Sequence, residues 1–306
     1  MTEKWIFIVN PIAGNNFGKT MVPVLEKKLA EFSIDGKILL TERPGHATEL
    51  SAQAVSDGAT CIIAVGGDGT FNEVARPLVG KPDIVTGIIP AGTGNDFNQI
   101  PGFTDRFTDK EWQLFFSHNV KSQDVGVVNN TIFLNGLGIG FDAEVAAQNY
   151  SEDGSVRKGG GDKYIWHIVK TLLFFREKNM VALTEEGRNE SFCFINTISI
   201  GRRFAGSFYL TPEAIADDGL LDVCFIRKIN LFHRFRLLLK VPSGKHILDR
   251  RVHYYRTPSL RLEFPVRVPY HVDGEIFFAD KFDIKVLPGA LNIIYNPEGK
   301  HFFRNA

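Results

Sequence analysis

Val65-Gly66-Gly67-Asp68-Gly69-Thr70-Phe71-Asn72-Glu73 joins an apolar run, Cys61-Ile62-Ile63-Ala64-Val65, to helix-compatible sequence from Phe71 to Val79. A strand that ends in glycines and turns into a helix builds a phosphate site. Glycine admits a close anion, and the free N–H groups of the helix start point at it. Asp68 beside such a cradle would repel a phosphate unless a cation stood between them, so its expected partner is Mg²⁺, met directly or through water. Read alone, the stretch is equally a strand–turn–helix corner with Asp68 as cap. A second loop, Pro90-Ala91-Gly92-Thr93-Gly94-Asn95-Asp96-Phe97, follows another apolar strand and adds a hydroxyl, Thr93, and a second acid, Asp96. Two carboxylates converging on one phosphate loop are what a Mg-nucleotide site requires.

Three further stretches have chemical potential. Ile215-Ala216-Asp217-Asp218-Gly219-Leu220 sets acids and outward carbonyls on a tight turn, which suits a hard cation or is a plain Asp-Gly turn. His271-Val272-Asp273-Gly274-Glu275 puts two carboxylates on a turn, one able to take a proton from an alcohol. From Arg227 to Arg256 the chain holds nine Lys and Arg residues against the single acid Asp249, with Leu231, Phe232, Phe235, Leu238 and Leu239 spaced for one helical face. Such a segment suits an anionic membrane surface, or is a solvated helix packed on its domain.

The elements that position these residues follow from the apolar pattern. Trp5 to Val9 is a continuous apolar run, as for a strand buried on both faces, and Asn10-Pro11-Ile12-Ala13-Gly14 breaks it. A helix with Val22, Leu25, Leu29 and Phe32 on one face follows. Then come a strand at Lys37 to Thr41, a helix at about Ala47 to Val55, and strands at Cys61 to Val65 and Ile84 to Ile89. This alternation predicts an α/β domain with a doubly wound parallel sheet, whose ligands bind beyond the carboxyl ends of the strands. Ala13 to Thr20 also fits a relaxed Walker A pattern, but lacks its first glycine.

After Asn98 the texture changes. Thr108-Asp109-Lys110-Glu111 reads as a capping box opening a helix to about Phe116. From Asp124 the pattern becomes β, with Asn129-Asn130 as a two-residue hairpin turn. The boundary is placed at 122, giving a nucleotide-binding α/β domain over 1–122 and an antiparallel β-sandwich over 123–306, whose last strands are free to return to the first domain. Gly136 to Asp142 is read as a bend into a helix around Ala143 to Gln148, and Ser151 to Asp162 as a mobile loop. Tyr164 to Phe175 is read as a helix. Strands are expected at Met180 to Leu183, Phe192 to Ile200, Phe208 to Leu210, Leu220 to Ile226, Leu260 to Phe264, Arg267 to His271, Phe282 to Val286 and Leu291 to Tyr295.

Composition narrows the class. With 35 Lys plus Arg against 35 Asp plus Glu, no net field argues for nucleic acid as a partner. Cys61, Cys193 and Cys224 are scattered, as for buried thiols in a reducing compartment. The N-terminus runs straight into a strand, and the most apolar helical stretch is too short to span a bilayer. A soluble cytoplasmic protein is expected.

Gly66-Gly67-Asp68-Gly69-Thr70, Gly92-Thr93-Gly94-Asn95-Asp96-Phe97, Pro212-Glu213-Ala214 followed by Asp218-Gly219-Leu220, and Asp273-Gly274-Glu275 stand in the order seen in the diacylglycerol kinase catalytic-domain family. Over nearly its whole length the chain resembles the soluble bacterial diacylglycerol and lipid kinases, kin to sphingosine and ceramide kinases. The resemblance implies an active site in a cleft between the α/β domain and the sandwich, with ATP and Mg²⁺ as cofactors. Nucleotide contacts map onto Asn10, Pro11, Ile12, Ala13, Gly14, Thr41, Gly66, Gly67, Asp68, Gly69, Thr70, Phe71, Asn72 and Thr93. Asp68 and Asp96 fall in the magnesium–water network, with Asp124 a weaker member. Glu275 matches the general base, with Asp273 the alternative. A structural magnesium site looks similar to Asp218 with the carbonyls of Ile215 and Leu220. One departure, Gly201 to Ser207 in place of an asparagine and a glycine triplet, leaves the acceptor open. The implied activity is phosphorylation of a lipid hydroxyl, diacylglycerol to phosphatidate first. The alternatives are a NAD-kinase-like phosphotransferase and a catalytically silent nucleotide-binding regulator. A lipid acceptor implies a transient membrane contact during catalysis, and a homodimer stays open.

Overall fold

Trp5, Phe7 and Val9 pack toward one side of a sheet, where they meet Leu25 and Leu29 of a helix and Phe103, Trp112 and Phe115. The alternation in a buried strand splits such a core into two faces. The computed structural model describes residues 3–147, 161–184 and 187–304. The chain forms two compact units: Met1–Val125, Ile215–Gly219 and Leu287–Ala306 make the first, Gly126–Ala214 and Leu220–Val286 the second.

In the first unit the order is β1 (Trp5–Val9), α1 (Ala13–Glu31), β2 (Gly36–Leu40), α2 (His46–Ser56), β3 (Cys61–Gly66), α3 (Asp68–Ala75), β4 (Val85–Pro90), α4 (Asp109–Phe116) and the start of β5 (Val120–Val128). β2, β1, β3 and β4 pair in parallel in that order, and Asn292 and Ile293 add a further parallel strand beside β4. β3 and β4 are neighbours, with Gly66 opposite Pro90, so the loops after them leave the sheet side by side. The capping box of α4 forms, with Thr108 accepting from the Glu111 amide. Burial disfavours the Glu111 charge, yet hydrogen bonds from the amides and hydroxyls of Thr108 and Thr104 outweigh it and hold the carboxyl below the usual range.

The second unit is sandwich-like and mostly antiparallel strand. It holds β6 (Thr131–Phe133), β7 (Gly136–Gly140), α5 (Phe141–Ala147), α6 (Gly161–Phe174), β8 (Lys178–Thr184), β9 (Gly187–Ser199), β10 (Leu221–Arg227), α7 (Leu231–Leu238), β11 (Val252–Thr257), β12 (Ser259–Val272) and most of β13 (Glu275–Ile294). β9 pairs β8 along its first half and β7 along its second, and β12 also pairs both. The core gathers Phe141, Ile168, Phe194, Cys224 and Leu237. The Asn129-Asn130 hairpin forms between β5 and β6, with Asn129 at φ 52°.

Several sequence expectations change here. Gly136–Gly140 is a strand, not a bend: side chains at these positions would strike Phe204, Asp142 and His271, so glycine keeps the strand in the sheet. Phe208 to Leu210 is not a strand; only the single bridge between Phe204 and Phe208 forms. Leu260 to Phe264 and Arg267 to His271 are one strand, β12, carried past Pro265 by a register shift between Glu263 and Val268. Phe282 to Val286 and Leu291 to Ile294 are likewise both parts of β13, which ends one residue before Tyr295. β11 lies inside the basic stretch, where the charges masked its pattern. The expected loop at Ser151 to Asp162 falls almost wholly outside the described residues. Among the described residues no helix is long and apolar enough to cross a membrane.

Candidate active site

The first unit collects its glycine loops at the carboxyl edge of the sheet. After β1, Gly14, Asn15 and Asn16 all take left-handed backbone, at φ 57°, 56° and 71°, a conformation Gly and Asn tolerate best. A side chain on Gly14 would come within 2.3 Å of the Ala91 carbonyl, so this loop lies against the one after β4. Pro11 accepts from the Lys19 amide, Ile12 is exposed, and Ala13 opens α1. Asn10 donates its Nδ2 to Thr70 Oγ1 at 3.0 Å, joining the loops after β1 and β3. Thr41, just past β2, donates its amide to Val9.

Gly67 and Gly92 meet backbone to backbone: a Cβ on Gly92 would stand 2.4 Å from the Gly67 Cα. A Cβ on Gly66 would strike the Thr70 side chain at 2.6 Å, while one on Gly69 would meet nothing within 4 Å. Glycine at 66 and 92 is therefore demanded by packing, glycine at 67 sits in a tight contact of 3.1 Å, and at 69 no neighbour of this chain requires it. Phe71 and Asn72 are buried in α3, Phe71 against Phe97 with ring centroids 4.1 Å apart. Thr93 and Gly94 are exposed at the loop tip.

Asp68 is the first residue of α3. Its Oδ2 accepts from the Asp96 amide at 3.1 Å and its Oδ1 from the Phe97 amide at 2.9 Å. The two acids singled out in the sequence are thus brought together, through the backbone of one. Two residues that sequence reasoning passed over complete the frame. Asn95, at φ 50°, ties both its side-chain atoms to Gly92, and Glu73 receives the amides of Gly45 and Ala47 at the start of α2. The signal for Asn95 was present: Asn is the residue that a left-handed loop position selects after Gly.

Asp124, also in the first unit, accepts from the Gly219 amide at 2.6 Å and the Gly289 amide at 2.8 Å. It lines a cavity of about 570 Å³ with Asp217, Asp218, Lys121, Ser122, Gly219, Pro288 and Gly289. Burial raises the Asp124 pKa, the two amides oppose this, and the charges of Asp218 and Asp217 raise it further. The carboxylates and turn carbonyls here are hard oxygen donors, the type that Mg²⁺ takes. They fit that ion in kind. They do not form a ready-made cage: among the described residues no three His, Cys, Asp or Glu side chains converge at ligand distance. Ile215 and Asp218 belong to the first unit and Leu220 to the second.

In the second unit Asp273-Gly274 is the two-residue turn of the β12–β13 hairpin, with φ of 46° and 92° and Val272 paired to Glu275. Positive φ at both positions is what such a turn requires, and Asp-Gly supplies it. Asp273 accepts from three backbone amides, those of Leu134 at 2.8 Å, Asn135 at 3.0 Å and Gly136 at 2.9 Å. Glu275 is exposed at the head of β13. Below the turn His271 faces Asp142 at 3.5 Å, and Thr197 donates to the same carboxylate at 3.1 Å. This pair, missed in the sequence, fills the space over Gly138.

These are the parts of a phosphotransferase: glycine-lined loops at a parallel sheet edge, with acids on neighbouring loops. The description "Diacylglycerol kinase catalytic domain" matches residues 4–128, and "YegS C-terminal NAD kinase beta sandwich-like domain" matches residues 135–295. The chain belongs to the diacylglycerol kinase and YegS-type lipid kinase family, enzymes that phosphorylate a hydroxyl acceptor. A probable YegS-like lipid kinase of Shewanella frigidimarina is 24% identical over 287 residues, covering 89% of this chain and 92% of that protein. A diacylglycerol kinase of Staphylococcus carnosus is 27% identical over 280 residues, covering 90% and 89%. Two crystal structures of Bacillus anthracis proteins named among the diacylglycerol kinases share the fold, with TM-scores of 0.80 and 0.74 and identities of 24% and 23%. They cover 97% and 96% of this chain, which spans 98% and 97% of theirs. The diacylglycerol kinase catalytic domain match spans Ala13 to Thr20, so that family, and not a P-loop one, accounts for this stretch.

Proposed function

We propose that the protein transfers the γ-phosphoryl group of ATP, with Mg²⁺, to a lipid alcohol, with diacylglycerol giving phosphatidate as the first candidate. The observation that carries this reading is the set of loops after β1, β3 and β4, packed glycine to backbone at Gly14–Ala91 and Gly67–Gly92. Such packing brings main-chain amides to one place without intervening side chains, and phosphoryl transfer is catalysed chiefly by positioning and charge neutralisation. The open position of Gly69 at the start of α3 leaves room for a phosphate at the helix N-terminus.

In the reaction the acceptor oxygen forms a bond to the γ-phosphorus while the bond from that phosphorus to the β,γ-bridging oxygen breaks. ADP leaves, and the hydroxyl proton passes to a carboxylate. We assign that carboxylate to Glu275. Asp273 has both oxygens committed to three amides, which holds it as the anchor of the turn. Asp68 fixes the loop of Asp96 and Phe97, and Asp96 and Asp124 are its companions in the expected water-linked network. Mg²⁺, when bound, neutralises the phosphates, and a structural ion would rest on Asp218 with the Ile215 and Leu220 carbonyls. The enzyme would meet its acceptor at a membrane surface and needs no nucleic acid.

The test is transfer of labelled γ-phosphate from ATP to a panel of lipid alcohols in mixed micelles, with NAD as soluble control. Label in a lipid product, lost in Asp68→Asn while the protein still folds, is expected. Label in NADP alone would replace the lipid acceptor, and ATP binding without label anywhere would make the protein a regulator.

A further inference from the structure

Two neighbouring helices of the second unit carry apolar side chains outward. On α7 and the residue that caps it, Leu231, Phe232, Phe235 and Leu239 fall within an arc of about 100° and all are exposed, Phe232 by 70% and Leu239 by 82%. The opposite side, with Arg234 and Leu237, is buried. On α6, Trp166, Val169, Leu173 and Phe174 are exposed while Ile168 and Leu172 are buried. A surface helix ordinarily turns its polar residues outward, so the outer faces of α6 and α7 are each reversed. Together with Phe192, these residues make nine of the seventeen large apolar side chains exposed among the described residues.

The arrangement is fixed from below. Arg234 Nη1 donates to the carbonyls of Leu172 at 2.8 Å and Phe175 at 3.2 Å, and its Nη2 pairs with Glu177 at 2.7 Å. This buried guanidinium ties α7 to the end of α6. Along the chain beside the apolar faces the charge is mostly positive, and the flanking acids are few: Asp162 in the first turn of α6, Glu177 paired with Arg234, and Glu190 on β9. No acid occurs from Arg227 to Lys240 or from Tyr164 to Arg176. Arg227, Lys228 and Arg236 are exposed, Lys228 lies over the Phe192 ring at 5.4 Å, and Lys170 lies over Trp166 at 5.8 Å.

We propose that the outer faces of α6 and α7 dock on an anionic bilayer, with Phe232, Leu239, Trp166 and Phe174 entering the interface and the cations meeting lipid phosphates. Charge complementarity selects this occupant. A second copy docked on the same patch would bring two like-charged rims together, whereas an anionic surface neutralises them. The proposal concerns the partner of the lipid kinase put forward above and rests on that reading for its purpose.

The experiment is co-sedimentation of the full chain with phosphatidylcholine vesicles, with and without phosphatidylglycerol, comparing wild type, Phe232→Ser/Leu239→Ser and Arg227→Gln/Arg236→Gln. Circular dichroism checks that the variants fold. Wild type should pellet with the anionic vesicles. The apolar double variant should bind at least about tenfold more weakly, and the basic one should lose about tenfold on anionic vesicles and little on neutral ones. Phosphorylation of monomeric dihexanoylglycerol should persist in both. Absence of wild-type vesicle binding, or equal binding by all three proteins, would overturn the proposal. So would conversion of a wild-type dimer to monomers by Phe232→Ser/Leu239→Ser without vesicle binding, which would make the patch a contact between copies. Vesicle binding lost in both variants while no form phosphorylates any lipid would support the surface and remove the lipid-acceptor reading alone.

Discussion

In the first unit Asp68 commits both carboxylate oxygens to the amides of Asp96 and Phe97; in the second, Asp273 commits its own to the amides of Leu134, Asn135 and Gly136. Both acids were singled out by residue type as chemical groups, and both serve as anchors of a loop. They differ in what they hold. Asp68 joins two loops whose glycines already interlock. Asp273 closes a hairpin that carries a second acid, Glu275, into the open. A carboxylate bound by several amides organises backbone, and on the proposed mechanism proton transfer is left to the neighbour it positions.

Exchanging the two hairpin acids gives the sharpest break. Glu275→Gln should lower turnover by about a thousandfold and leave stability within about 0.5 kcal/mol. Asp273→Asn should lose about 2–3 kcal/mol in urea denaturation, because an amide side chain cannot accept from all three N–H groups. Turnover of Asp273→Asn lost at full stability, with Glu275→Gln still active, would reverse the assignment.

Acid separates the two units. His246, fully buried in the second, bonds the Leu210 carbonyl at 3.2 Å. Burial holds its pKa down to about 4, against which that one bond works. An unfolded histidine takes a proton near pH 6.5, so the stability this group supports is complete above 6.5. It is lost as pH falls toward 4, by up to roughly 3 kcal/mol. Amide exchange in β9 and β10 should therefore accelerate before that in β1 and β3, and His246→Gln should flatten the difference. Equal acceleration in both units would contradict it.

Among the glycines of the first unit the contrast is smaller and cleaner. Gly92→Ala should cost about 2 kcal/mol of stability, since its Cβ strikes Gly67. Gly69→Ala should fold normally and weaken ATP binding by about tenfold, read by calorimetry. Unaltered affinity in Gly69→Ala would move the phosphate away from α3.

What the sequence disclosed depended on separation along the chain. The β1, β3 and β4 runs and their loops lie within one hundred residues, and the pairing of β3 with β4 that brings Asp68 to Asp96 follows from their order. Gly136–Gly140 could not be read, because its glycines answer to Phe204, Asp142 and His271, two of them far away in sequence. The partners of Asp273 lie 137 to 139 residues before it, so its anchoring role left no local trace. In the basic stretch the helical period was visible, but not the direction its apolar face would take, since that is set by Arg234 reaching Leu172 and Glu177.

Asp124 receives the amides of Gly219 and Gly289, 95 and 165 residues further along, and Asn292 and Ile293 complete the parallel pairing at β4. On the ribosome, the unit that begins the chain is accordingly the last to be finished. Its sheet waits with β4 unpaired on one side until the whole second unit has emerged. Contacts of such separation close slowly, and an edge left open meanwhile is a place for wrong partners. Loss of residues 287–306 would strike the first unit, most of which lies at the opposite end of the sequence.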